Sequence, residues 1–150
     1  MKPDEFIAKI SQAAQASAKT TGIPAGFSIA QAALESGWGT SRTTQAANNL
    51  FNIKADKSWT GPVWQMASTE HLGGKDVLVP ARWRVYADWQ DCFNDRAKFF
   101  KDNPRYAACF KAVRSEAWAR AVAAAGYATD PLYADKLIAT MKSHNLTQYD

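Results

Sequence analysis

Val63-Trp64-Gln65-Met66-Ala67-Ser68-Thr69-Glu70, His71-Leu72-Gly73-Gly74-Lys75 and Asp76-Val77-Leu78-Val79-Pro80-Ala81-Arg82-Trp83-Arg84-Val85-Tyr86 form the continuous stretch on which the fold reading turns. β-Branched and aromatic residues flank a Gly-Gly pair, the pattern of a β-hairpin closed by a tight turn. Trp59-Thr60-Gly61-Pro62 leads into it. On either side of this stretch the apolar spacing is helical, so the hairpin interrupts a helical chain.

Upstream, Phe6, Ile7, Ile10 and Ala14 recur every three or four residues, with Asp4 and Glu5 in the first turn, which predicts an amphipathic helix from Pro3 to about Lys19. A second helix should begin at Gly22-Ile23-Pro24, since proline suits a first helical position, and run through Phe27, Ala30 and Leu34. Gly37 or Gly39 should end it in a left-handed conformation. Downstream, Trp89, Phe93, Ala97 and Phe100 continue the helical period, with Asp88 as cap. Asn103-Pro104, Ser115 and Asp130-Pro131 read as further helix starts, and Gly126 as a stop. The fold class expected is mainly α (α+β): a helical bundle with one small β-hairpin lobe, and a cleft between the two for an extended ligand.

A chain of 150 residues, 47% apolar and 21% charged, has the composition of one folded domain, placed here at 1–150. At that size roughly 68–70% of the unfolded surface is buried, so neither a disulfide nor a metal is required for stability. No apolar run approaches the roughly 20 residues of a membrane span, and Met1-Lys2-Pro3-Asp4-Glu5 lacks the apolar stretch of a secretory signal. The net charge is +4, and the basic excess falls in residues 82–120. Such a patch either keeps the surface solvated or concentrates a polyanion, whether nucleic acid, anionic lipid or acidic wall polymer. Cys92 and Cys109 fit no metal spacing, and with only two histidines a zinc site lacks partners; two buried thiols are expected, with a disulfide between them as the alternative.

Four glutamates occur, at positions 5, 35, 70 and 116. Glu5 and Glu116 fall in first turns of predicted helices, where a helix dipole favours negative charge. Glu35 falls in a last turn, where the dipole disfavours the carboxylate, and Leu34 and Trp38 are placed to dry it. Both influences raise a pKa, as a general acid facing a sugar leaving group needs. A helix-end glutamate bonding loop amides is the structural alternative. Glu70 ends the first hairpin strand, a position open to a solvated residue or to the second member of a carboxylate pair astride a sugar.

Ala33-Leu34-Glu35-Ser36-Gly37-Trp38-Gly39 is followed in order by Asn48-Asn49-Leu50-Phe51-Asn52-Ile53-Lys54, Ser68-Thr69-Glu70, Arg84-Val85-Tyr86 and Ala125-Gly126-Tyr127-Ala128-Thr129-Asp130-Pro131. On these five blocks the chain resembles the bacterial and phage peptidoglycan N-acetylglucosaminidase family, which includes the C-terminal domain of the flagellar rod-cap muramidase. The resemblance implies a lysozyme-like fold, Glu35 as general acid, Glu70 as the second carboxylate on the β-lobe, and Tyr127 lining the catalytic site. It further implies a structural or sugar-contacting Asn49 and a supporting Asp95. Trp38, Trp59, Trp64 and Trp83 become candidates for stacking on sugar rings, with core packing as the alternative for each. Asn52 stands where the family usually has glycine, and His71 where it usually has tyrosine.

The activity implied is hydrolysis of the bond between N-acetylglucosamine and N-acetylmuramic acid, without a cofactor. Water activated by Glu70, or the substrate's acetamido group, would attack the opposite face. The partner implied is the peptidoglycan glycan strand, with no nucleic acid, no stable membrane insertion and a monomeric state. A lytic transglycosylase and a non-catalytic wall-binding module are the rival readings. The chain is expected to be made in the cytoplasm and to act on the cell wall, as a phage endolysin or a secreted effector would.

Overall fold

Ten of the twelve residues of the helix Ala25–Ser36 are buried. Its alanines are the reason, because small side chains let neighbouring elements close on every side of it. The computed structural model describes all 150 residues. In chain order the helices are α1 (Pro3–Thr21), α2 (Ala25–Ser36), α3 (Arg42–Ala47), α4 (Trp89–Asp102), α5 (Ser115–Ala124) and α6 (Tyr133–Ser143), with 3-10 segments at Pro104–Lys111 and Leu146–Tyr149. Helices α1, α5 and α6 pack on α2, and α4 packs on α1. Phe27 and Phe100 both meet the fully buried Trp118, at ring-centroid distances of 5.6 and 6.1 Å. Burial of side chains this large contributes about 1.5–3 kcal/mol each.

The start of α2 is finished by residues far away in the chain. Pro24 occupies the cap position rather than the first helical one and provides no side-chain cap bond. Asp150 Oδ1 instead accepts from the Gly26 N–H at 2.7 Å, and Ser115 Oγ accepts from Phe27 N–H at 2.8 Å while donating to the Asp150 carboxylate. The carboxylate thus lies at the positive end of the helix dipole. Ser115, read as a helix start, is the first residue of α5, and Arg114 holds the cap position. The Asn103-Pro104 signal opens a 3-10 segment rather than an α-helix. Helix α3 had no counterpart in the sequence reading, since its six residues carry no apolar repeat; Ser41 Oγ caps it by accepting from Thr44 N–H.

The hairpin consists of β1 (Val63–Gln65), β2 (Ser68–Leu72), β3 (Lys75–Val79) and β4 (Arg82–Arg84). β1 pairs with β4 and β2 with β3, both antiparallel, and the two ladders share one register, from Val63↔Arg84 outward to Leu72↔Lys75. The break between them falls at Pro80, which has no N–H to donate. Gly73 and Gly74 take φ values of +58° and +79°, the left-handed pair that a two-residue turn of this hand requires. Cys92 and Cys109 are buried free thiols, and burial pushes Cys92 up to about 12. No helix is long and apolar enough to cross a membrane.

Candidate active site

Glu35 occupies the last turn of α2, which Gly37 ends at φ +56°, with its N–H donating to Ala33 O. Ser36 Oγ holds the following loop by donating to Ala32 O at 2.6 Å and accepting from Gly39 N–H at 2.8 Å. Across from it, Asn52 adopts φ +56°. Asparagine is among the side chains that tolerate this left-handed geometry best, which accounts for its presence where the family usually has glycine. Its amide also donates to Glu35 O at 3.0 Å and its Oδ1 accepts from Thr43, so the substitution adds a tie that glycine could not make.

The Glu35 side chain enters a cavity of about 480 Å³ walled by Phe51, Ile53, Lys54, Tyr127 and other residues from α4 and the loop before the hairpin. The Tyr133 hydroxyl donates to Glu35 Oε1 at 2.8 Å. Tyr127 stacks on Tyr133, with centroids 5.6 Å apart and planes 23° from parallel. Burial raises the Glu35 pKa above 4.5, and the Tyr133 hydrogen bond offsets that only in part. The drying surface is not the one expected. Leu34 is 37% exposed, and Trp38 packs against Phe6 and His144, whereas the two tyrosines lie against the carboxyl group.

Of the remaining expected site residues, only Tyr127 lines this cavity. Glu70 does not line it; its Oε1 accepts from Ser68 Oγ at 3.0 Å and from Nζ of Lys54, a cavity-lining residue, at 3.4 Å. Trp83 is buried and donates its indole N–H to Met66 O, while the half-buried Trp64 faces it across β1 and β4. Trp59 lies over a separate concavity, edge-on to Tyr86 and under the Arg84 guanidinium. Asn49 is fully enclosed and has no surface for a sugar. Its Nδ2 donates to Ile53 O and Arg84 O, and its Oδ1 accepts from Ile53 N–H, which fastens the loop to β4.

Asp95 on α4 accepts from Arg84 Nη1 at 2.9 Å and from the Tyr86 hydroxyl. Arg84 also reaches Lys54 O, Asp56 and Ser58, so one guanidinium joins the hairpin base, the cavity wall and α4. Asp56 lines the cavity too, and Ser58 and Arg84 hold its pKa below the usual value. Tyr133, Asp56 and Arg96 are the cavity-side groups the sequence reading missed. Tyr133 lies three residues beyond Asp130 in the matching block, and that proximity was the available signal. No group of three or more His, Cys, Asp or Glu side chains is arranged to hold a metal ion.

The glucosaminidase family, described as mannosyl-glycoprotein endo-beta-N-acetylglucosaminidase, matches residues 11–146. The peptidoglycan hydrolase FlgJ of Vibrio parahaemolyticus is 42% identical over 140 residues, covering 91% of this chain and 46% of that protein. The chain spans about half the length of the curated relatives it matches. Among solved structures, the glycoside hydrolase domain of Salmonella typhimurium FlgJ superposes with a TM-score of 0.83 at 36% identity, over 99% of this chain and 91% of that one. The catalytic domain of the Listeria monocytogenes autolysin Auto gives 0.86 at 32% identity, over 99% and 87%. The mainly α, lysozyme-like architecture is common to them.

Proposed function

The chain belongs to the glucosaminidase family, and from that premise we propose that it is a peptidoglycan hydrolase that cleaves the glycosidic bond following N-acetylglucosamine, with Glu35 as general acid. The observation that carries the reading is the state of Glu35, a carboxyl group sunk into a sugar-sized cavity with its pKa raised by burial. A carboxyl whose pKa is raised by burial holds its proton to higher pH than an ordinary glutamate, which suits it to protonate a departing sugar oxygen.

The opposite face of the sugar falls to Glu70. Alternation along β2 puts Ser68 and Glu70 on one side of the hairpin, the side that meets Lys54 at the cavity rim. Closure of the hairpin over a bound strand would bring that carboxylate to a water below the ring. Tyr127, in the cavity wall beside Glu35, supplies an aromatic face and a hydroxyl for the sugar at the cleavage point. One continuous core takes residues from Phe6 to Leu146, which supports residues 1–150 working as one catalytic unit on wall glycan strands.

Purified sacculi and mass spectrometry test the reading. Wild-type protein should clear the suspension and leave reducing N-acetylglucosamine ends, and Glu35→Gln should do neither while remaining folded. Anhydro-muramic acid products would identify a lytic transglycosylase, and glycan retention without cleavage a binding module.

A further inference from the structure

Arg96, on α4, is only 1% exposed and its hydrogen bonds go to neutral groups. Nη1 donates to Gln31 Oε1 at 3.1 Å, Nη2 donates to Ser28 Oγ at 2.6 Å, and Nε has no partner. The rings of Phe27, Phe51, Phe93 and Phe100 surround the guanidinium at 4.7–5.6 Å. Burying a cation without a counter-charge is unfavourable, and cation–π contact offsets that only in part. An aliphatic side chain would fill the space without this cost, so packing alone does not explain the charge.

Its position does. Gln31 Nε2 donates to the Tyr133 hydroxyl oxygen at 3.1 Å, and that hydroxyl donates to Glu35 Oε1 at 2.8 Å, so a single chain runs Arg96, Gln31, Tyr133, Glu35. The first member dictates its direction. A guanidinium only donates, so Gln31 must turn its oxygen to Arg96 and its NH₂ to Tyr133. Tyr133, already accepting there, has one place left for its proton, namely Glu35 Oε1. With Oε1 held as an acceptor, the acid's own proton occupies Oε2. If the amide were reversed, Tyr133 would donate to Gln31 and accept from Glu35, and the catalytic proton would point into the protein.

We propose that Arg96 is a positioning residue which, through Gln31 and Tyr133, fixes the direction of this hydrogen-bond chain and so places the transferable proton of Glu35 on Oε2. The inference rests on Glu35 being the general acid. Burial brings Arg96 down to about 10, which leaves it cationic and donor-only at neutral pH. The other titratable groups facing the Glu35 cavity are Tyr133 from α6, Tyr127 from the segment after α5, Tyr106 from the 3-10 segment after α4, and Lys54, Asp56 and Arg84 across the cavity.

Gln31→Glu is the decisive variant, assayed on soluble glycan fragments by reducing-end release. A carboxylate of the same shape gives Arg96 a counter-charge but can only accept, so it takes the Tyr133 proton away from Glu35. Its melting temperature should equal or exceed that of the wild type. Its kcat, read on the acid side of the alkaline limb where Glu35 is protonated, should fall about 10- to 100-fold with KM within about twofold. A folded Gln31→Glu protein with wild-type kcat overturns the proposal. Tyr133→Phe decides the matter if Gln31→Glu does not fold. Loss of its donor should lower kcat and move the alkaline limb, and the Glu35 titration followed by carboxyl ¹³C NMR, to higher pH, whereas no change in either overturns the chain. Activity surviving in Glu35→Gln would remove the general-acid assignment itself, while an inactive Glu35→Gln beside an unaltered Gln31→Glu removes the chain alone.

Discussion

Tyr133 and Glu35 lie 98 residues apart in sequence and share a 2.8 Å hydrogen bond at the back of the cavity. That bond favours the ionised carboxylate, burial favours the neutral acid, and burial is the larger influence. The folded pKa therefore lies above the 4.5 of an ordinary glutamate. Between those two pH values the native protein holds a proton that the unfolded chain has released, so stability falls as pH rises through the window.

Glu35→Gln should accordingly be more stable than the wild type at neutral pH and lose that advantage below pH 4.5. Each pH unit of displacement corresponds to about 1.4 kcal/mol, or roughly 3–6 °C in a domain of this size. Thermal melts of both proteins at acid and neutral pH measure it. Equal melting temperatures at neutral pH would mean the carboxyl group is well solvated.

Replacing Glu70 by Gln should separate rate from stability. Its ion pair with Lys54 is exposed, with side chains 41% and 58% accessible, and is worth less than about 1 kcal/mol. The melting temperature should hardly move, while kcat falls about 100-fold if this carboxylate activates the water. An unaltered kcat would assign the opposite face to the acetamido group of the substrate.

Asp95→Ala should loosen the whole hairpin lobe, because it strips the enclosed Arg84 guanidinium and the Tyr86 hydroxyl of a shared acceptor. Removing one partner of a buried pair costs about 3 kcal/mol or more. Asp56→Ala, whose side chain is 65% exposed, touches the same guanidinium and should cost less than about 1 kcal/mol. Denaturant titrations of the two variants should differ accordingly, and equal midpoints would show that Arg84 does not depend on α4.

Gly26→Ala tests the long-range finish of α2. A Cβ there would lie 2.8 Å from Asp150 Oδ1, 2.8 Å from Leu146 O and 2.9 Å from Ser115 Oγ. The backbone must shift, at about 1–3 kcal/mol, and hydrogen exchange should quicken in the first turn of α2 and at residues 146–150. Unchanged exchange at both places would show that these contacts give way freely.

The helical bundle was legible because apolar spacing records which face of a helix is covered, as at Phe6, Ile10, Phe93 and Phe100. Glu35 stood out because a carboxylate in a last turn conflicts with the helix dipole. Tyr133 and Arg96 did not stand out. On a helix a tyrosine reads as core and an arginine between Asp95 and Lys98 reads as a solvated charge, and only the folded chain shows what either side chain meets. Trp38 looked like a wall of the cleft. In the fold its backbone takes φ +57°, and its ring goes back against Phe6 and His144. Ser115 marked the start of its own helix correctly, but that its hydroxyl also serves the start of α2 was not legible.

The two hairpin ladders keep one register across the Pro80 break, and the buried ties through Asn49, Arg84 and Asp95 fasten the inner ladder, while the outer one is held by the exposed Lys54–Glu70 pair. The outer one behaves as a separable tool head on a fixed shank. Its length and tip chemistry are free to change the reach and grip on glycan without disturbing the proton donor, which makes this lobe the natural place to alter substrate preference.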